Sequence, residues 1–306
     1  MRDFDLVIVG AGVAGLTAAM FAARYGLKVV VVDQLGVGGQ ISNAEMIENF
    51  PGFPQGVGGH ELGPLLHEQA DGAGAEFVLD TVDRLEISGE HRIIHGATEV
   101  LRAPSVIIAA GSALRSLGIP GEEKFLGKGV SHCASCDGAF FAGREVCVVG
   151  GGDSAVDEAI VLAEHASRVT IFHRGKNLRA QRALLDKASA TQKIEIALET
   201  TVEEIVGEDA VTALRLREGS AGTSRIQNTS GVFVYVGLEP NTAFLQGVLK
   251  LDPAGHIETD ILMQTSVPGV FTAGDIRKSS VAQLATVAGD GATAAISAWR
   301  YLKATS

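Results

Sequence analysis

The stretch Asp5-Leu6-Val7-Ile8-Val9-Gly10-Ala11-Gly12-Val13-Ala14-Gly15 decides the fold. Residues 4–9 form a short, largely apolar run of the kind that makes a buried strand. Gly10, Gly12 and Gly15 follow in G-x-G-x-x-G spacing, and an Ala-rich helical stretch continues to Ala23. A second apolar run, 28–32, ends on Asp33. The same order recurs later in the chain. Residues 145–149 lead into Gly150-Gly151-Gly152-Asp153-Ser154-Ala155, a helical pattern reaches Ala163, and the run 168–172 ends on His173. One glycine motif of this kind says little. Two of them, each between a strand and a helix and each returning to a second strand, predict an α/β protein with two Rossmann-like dinucleotide-binding domains.

The residue types follow from the geometry such a site needs. The first glycine, Gly10 or Gly150, permits a tight turn. The second, Gly12 or Gly152, lets the backbone approach a pyrophosphate, and the third position, Gly15 or Ala155, must be small for helix to pack on strand. Ala14 in one copy, Asp153 and Ser154 in the other, complete the turns. A pyrophosphate would then rest on unpaired N–H groups at the positive helix end. The two ribose positions differ. Asp33 can accept hydrogen bonds from ribose hydroxyls and would repel a 2′-phosphate. His173, Arg174 and Arg179 suit a phosphorylated ribose, although a solvated basic loop would read the same way.

Composition narrows the class. The 306 residues allow two domains of ordinary size, and 46% apolar residues allow a large core. A net charge of −11 leaves no basic stripe to displace counterions from a nucleic acid. The first residues show no signal-peptide pattern, and no apolar stretch reaches the roughly 20 residues that span a bilayer. A cytoplasmic location is expected.

Three cysteines are present, two of them in Cys133-Ala134-Ser135-Cys136-Asp137. This spacing lets two thiols close a disulfide and lower one another's pKa. Zinc would need two further ligands, and the remaining Cys147 lies in the apolar run 145–149, so no metal is expected. Asp137 could exchange the proton that thiol–disulfide chemistry requires, or could simply open a turn with Gly138.

With these residues in place, the sequence resembles the bacterial low-molecular-weight thioredoxin reductases. The resemblance covers nearly the whole chain. It rests on Gly10–Gly15, Gly38-Gly39-Gln40-Ile41, Asn49-Phe50-Pro51-Gly52, the segment 107–111, His132-Cys133-Ala134-Ser135-Cys136-Asp137, the segments 150–159, 234–240 and 269–275, and Ala288-Gly289-Asp290-Gly291. It implies an FAD domain in two pieces, 1–113 and 245–306, with an NADPH domain, 114–244, inserted between them and carrying the dithiol. It implies that Gly39, Gln40, Asn49, Ala110 and Gly111 line the flavin site, that Gly274 and Asp275 meet the ribityl chain, and that Gln283 and Leu284 meet the ring. Electrons would pass from NADPH to FAD to the Cys133–Cys136 disulfide and on to thioredoxin or a thioredoxin-like protein. Cys136 would face the flavin, Cys133 would exchange with the partner, and Asp137 would be the acid/base. A homodimer is implied, as is rotation of the inserted domain about linkers near 112–117 and 237–242.

Two departures from the pattern concern the cofactors. The resembling proteins carry His-Arg-Arg at the 2′-phosphate, whereas this chain has His173-Arg174-Gly175. They often carry a basic residue just before the late flavin segment, where this chain has Val281-Ala282 before Gln283, so a basic contact is either absent or supplied elsewhere, as by Arg277 or Lys278. NADPH is the expected donor, with NADH or ferredoxin as alternatives. A dithiol oxidase, a reductase of another disulfide, a ferredoxin–NADP reductase relative without disulfide chemistry, and a non-catalytic redox sensor are the competing readings.

Overall fold

Leu6–Val9 is fully buried at the centre of a five-stranded parallel sheet in the computed structural model of the chain, which describes residues 1–219 and 222–305. Across the sheet the order is Val270–Thr272, Ser105–Ile108, Leu6–Val9, Val29–Asp33 and Glu76–Leu79. Leu6 lies opposite Val29 and Ser105, and Val9 opposite Val32 and Ile108. Continuous β-branched runs suit strands covered on both faces. Alternation then assigns the faces. Leu6, Ile8, Val29 and Val31 share a core with Leu16 of helix Val13–Arg24 and with Ala294 and Ala298 of helix Leu284–Thr305. Val7, Val9, Val30 and Val32 share the opposite core with Leu85, Ile94 and Leu101 of the meander Val82–Ser88, His91–Gly96 and Val100–Ala103. Each such fully buried side chain contributes about 1.5–3 kcal/mol.

The second glycine turn sits in an equivalent frame. Glu145–Gly150 is the central strand of a parallel sheet ordered Val130–Ser131, Gly231–Tyr235, Glu145–Gly150, Arg168–Phe172 and Ile194–Ala197. Helix Asp153–His165 covers one face through Ala155, Ala159 and Leu162. A three-stranded antiparallel sheet, Thr200–Gly207, Val211–Glu218 and Thr223–Asn228, covers the other through Val202, Leu214 and Leu216. In both frames the glycine turn leaves the carboxyl end of the central strand, where strand order reverses and open α/β sheets bind ligands.

By backbone contacts the chain divides into Met1–Ala113 with Glu239–Ser306, and Leu114–Leu238. The second crossing therefore falls at Leu238/Glu239 and not at 244/245. Asn241 explains the difference: its N–H donates to Gly111 O at 3.1 Å and its side chain to Ala110 O at 2.8 Å. Leu245 is buried in the core with Val7 and Val30. These residues belong to the first unit by packing.

The third glycine position is set by close approach. An added Cβ on Gly15 would lie 1.8 Å from Gly10 O. Gly15→Ala is expected to destabilise the first unit by at least about 1–3 kcal/mol through overpacking against backbone. Thermal unfolding checks this, and an unchanged transition would contradict it.

Candidate active site

Helix Val13–Arg24 starts at Gly12 and helix Asp153–His165 at Gly152, neither with a side-chain cap. The first N–H groups of a helix have no partner within it. An added Cβ on Gly12 or Gly152 would meet nothing within 4 Å, so the ground in front of both helix ends is open. Uncapped donors facing open space fit phosphate oxygens.

In the first unit, contacts link the flavin-site residues expected from the sequence. Gly12 bridges to Gly38, and an added Cβ on Gly39 would lie 3.2 Å from Gly12 Cα. The Gln40 side chain donates to Ser112 O, and Ser112 Oγ donates to Asp275 O at 3.2 Å. Asn49 Nδ2 donates to Gln283 Oε1 at 3.1 Å, and Leu284 starts the last helix directly after. An added Cβ on Gly274 would lie 3.1 Å from the Cβ of the buried Ala14. Asp33 chiefly braces the turn. Its carboxylate accepts from Ala11 N at 2.8 Å, Leu35 N at 2.8 Å and Gly36 N at 3.0 Å. A carboxylate has about four lone-pair sites, so capacity for a ribose hydroxyl remains. Burial pushes the Asp275 carboxyl above its ordinary range, although Ser280 Oγ donates to it at 3.1 Å.

Neither basic residue expected near the flavin end is uncommitted. Arg277 pairs with the buried Asp290 at 2.6 and 2.9 Å, and that carboxylate also accepts from Gly274 N at 3.2 Å. Lys278 pairs with Glu258 at 3.1 Å. The Arg277–Asp290 pair joins the Gly274 turn to the last helix, a structural role that the segment 288–291 did not reveal.

In the second unit a cavity of about 410 Å³ is lined by the Gly150–Ala155 turn, His173, Arg174, Arg179, Thr200 and Tyr235. Asp153 accepts hydrogen bonds from Gln181 N and Nε2, at 2.8 and 2.7 Å, which fix the basic loop against the glycine turn. Ser154 is exposed in the first turn of the helix. Arg174 and Arg179 are exposed, and neither guanidinium has an ion pair among the described residues. His173 is different. Burial first, and the charge of Arg179 second, hold its imidazole below the ordinary range, so it is a neutral packing group. Its ring occupies the space that side chains on both neighbours would need: added Cβ atoms on Gly151 and Gly175 would lie 2.3 and 2.7 Å from ring nitrogens. A larger residue at 175 would therefore require this ring to shift.

Cys133 and Cys136 form a disulfide at the helical turn Ala134–Asp137 of the second unit. Cys136 N–H donates to Cys133 Sγ at 3.2 Å. Ser131, buried on the strand before, links the turn to Asp137: its hydroxyl accepts from Cys133 N at 3.1 Å and donates to Asp137 Oδ2 at 2.6 Å. Glu158, on the fingerprint helix, accepts from Ala134 N at 2.8 Å. Ser131 was not among the residues singled out by sequence, and Glu158 lay within the segment 150–159 without a role of its own. Cys147 is buried, and burial pushes its thiol up to about 12, so it stays protonated.

A disulfide on an exposed turn, in a unit that also holds a cavity lined by a dinucleotide-type glycine turn, defines a dinucleotide-dependent disulfide oxidoreductase. The comparisons agree. The family model described as pyridine nucleotide-disulphide oxidoreductase matches residues 4–292. Thioredoxin reductase of Peptoclostridium acidaminophilum is 41% identical, covering 98% of each chain, and that of Listeria monocytogenes is 40% identical, covering 99% of this chain and 95% of the other. The crystal structure of Lactococcus lactis thioredoxin reductase superimposes with a TM-score of 0.96 at 39% identity, covering 98% of this chain and 99% of that one. That of T. acidophilum thioredoxin reductase gives 0.94 at 36% identity over the full length of both. The chain belongs to the pyridine nucleotide-disulphide oxidoreductase family. A flavin and a pyridine nucleotide are the cofactors this membership implies.

Because the ground before Gly152 is empty of protein, Gly152→Ala tests the nucleotide site cleanly. Stability is expected to stay within about 0.5 kcal/mol. Pyridine-nucleotide affinity is expected to fall at least about tenfold, roughly 1.4 kcal/mol, since the added methyl occupies the phosphate's approach. Unchanged affinity by titration would contradict the assignment.

Proposed function

We propose that the chain is a thioredoxin-disulfide reductase that takes electrons from NADPH through FAD. The observation that carries this is the Cys133–Cys136 disulfide held beside Asp137, in a chain whose two helix N-termini are both open to dinucleotide phosphates. The bound flavin and nucleotide supply the electron pair. Every other part of the chemistry falls to side chains of this protein.

The Cys133–Cys136 disulfide accepts two electrons and, with two protons, becomes a dithiol. The N–H of Cys136 beside Cys133 Sγ favours negative charge on that sulfur, which suits Cys133 to attack the partner disulfide. As Cys133 attacks, its proton passes to the Asp137 carboxylate; the new Cys133–partner bond breaks the partner disulfide, and the released partner thiolate takes that proton back from Asp137. Cys136 then passes its own proton to Asp137 and attacks Cys133 Sγ, which restores the disulfide and breaks the Cys133–partner bond; the second partner thiolate leaves with that proton. Ser131 holds the Asp137 carboxylate at the turn throughout.

NADPH is favoured over NADH by Arg174 and Arg179, two uncommitted guanidiniums at the end of the cavity. Arg179→Ala is expected to lower kcat/KM for NADPH about ten- to a hundredfold, the loss of one charge-assisted hydrogen bond of about 1.5–3 kcal/mol, and to leave NADH turnover nearly unchanged. Equal losses with both nucleotides would remove the 2′-phosphate assignment. A homodimer and a thioredoxin-type partner go with this reading. So does a cytoplasmic setting, where a redox-active pair is kept available as thiols.

The decisive experiment is Cys136→Ser. It should retain bleaching of bound flavin by NADPH and lose reduction of thioredoxin. Retained disulfide reduction would overturn the proposal.

A further inference from the structure

The Ala134–Asp137 turn is braced by carboxylates from two directions. Asp137 is tied to it through Ser131. Glu158 reaches it from helix Asp153–His165 and takes the N–H of Ala134, the residue that follows Cys133. Asp137 belongs to the exchange chemistry already described. Glu158 does not, yet it places a negative charge one residue from the sulfur that must become a thiolate. The surroundings weaken its screening. Ala134 is buried, and Tyr235 is buried with a hydroxyl that makes no hydrogen bond of good geometry among the described residues. Burial first, and the charge of Glu158 next, push the Tyr235 phenol up.

We propose that Glu158 is a positioning residue that opposes ionisation of Cys133 in the reduced enzyme and so keeps the dithiol a strong reductant. The physical case rests on sign. A nearby like charge disfavours the charged form of a titrating group. A dithiol whose thiolate is strongly stabilised is a good oxidant, because its reduced state is favoured. A dithiol that must pass electrons onward needs the reverse bias. Here the Cys136 N–H at 3.2 Å and the Ser135 hydroxyl at 3.9 Å from Cys133 Sγ can favour the thiolate, and Glu158 offsets them. The other titratable groups near the turn are Asp137 and His132 on its own segment, Tyr235 on the neighbouring strand, and Asp157 and His165 on the helix that carries Glu158. His132 is committed to Val234 O at 3.1 Å. The inference rests on the reductase reading for its purpose, but its test needs neither thioredoxin nor nucleotide.

The test is Glu158→Gln in the full-length flavoprotein. The amide oxygen can still accept from Ala134 N–H, so the brace is kept and the charge is lost. After reduction with a phosphine and its removal, the rate of iodoacetamide alkylation at Cys133 is followed against pH by peptide mass spectrometry. The midpoint is expected to fall by about one unit. The rate below the midpoint should rise only about threefold, because nucleophilicity falls with pKa. Equilibration with a dithiothreitol redox buffer above the midpoint should show the variant disulfide up to about tenfold easier to reduce, about 30 mV for this two-electron couple. An unchanged or raised midpoint overturns the proposal. So does a Glu158→Ala variant that lowers the midpoint when Glu158→Gln does not, since that would make the brace and not the charge responsible. A shifted midpoint in an enzyme that fails to reduce thioredoxin would uphold this inference and sink the reductase reading.

Discussion

Two helices in this chain begin directly off the central strand of a parallel sheet with no side chain to cap them. The rest of the structure depends on that constraint. Backbone N–H groups at a helix start must find partners, and here the protein supplies none from a side chain while keeping the space before Gly12 and Gly152 clear. Donors left open at the end of a central strand suit a ligand with several acceptor oxygens. The glycines, the small third positions Gly15 and Ala155, and the buried valine-rich strands all serve to hold those two helix ends still.

The dithiol draws on the same frame. Its turn follows strand Val130–Ser131 at the edge of the second sheet, and Ser131 turns that strand end into a hydrogen-bonded support for Asp137. Its other support, Glu158, comes from the fingerprint helix itself. One helix thus presents its positive end to a nucleotide and a carboxylate from its second turn to the redox pair. The chemistry asked of Cys133 is a balance between the Cys136 N–H that favours its thiolate and the carboxylates that oppose it.

What was legible in the sequence was local. Strand, glycine turn, helix and second strand lie within one short stretch, and their spacing is dictated by backbone geometry, so both nucleotide units and the C-x-x-C pair could be read directly. The boundary at Leu238/Glu239 could not, because it is set by Asn241 bonding to Ala110 and Gly111, far away in the chain. Arg277 and Lys278 looked available because their partners, Asp290 and Glu258, are fixed only by folding. Glu158 lay in the segment 150–159 with no role assigned, because its contact with Ala134 N is made only by folding. Gly175 read as the loss of a guanidinium. The ring of His173 lies where a side chain on residue 175 would begin, so a larger residue there requires the ring to shift.

In the proposed reaction one electron pair from a reduced nucleotide reaches the Cys133–Cys136 disulfide by way of a flavin. Anaerobic titration with NADPH, following flavin bleaching and free thiols together, tests it most directly. The account predicts that two new thiols per chain appear as NADPH is consumed and that both map to Cys133 and Cys136. Full bleaching of the flavin with the disulfide left intact would contradict it.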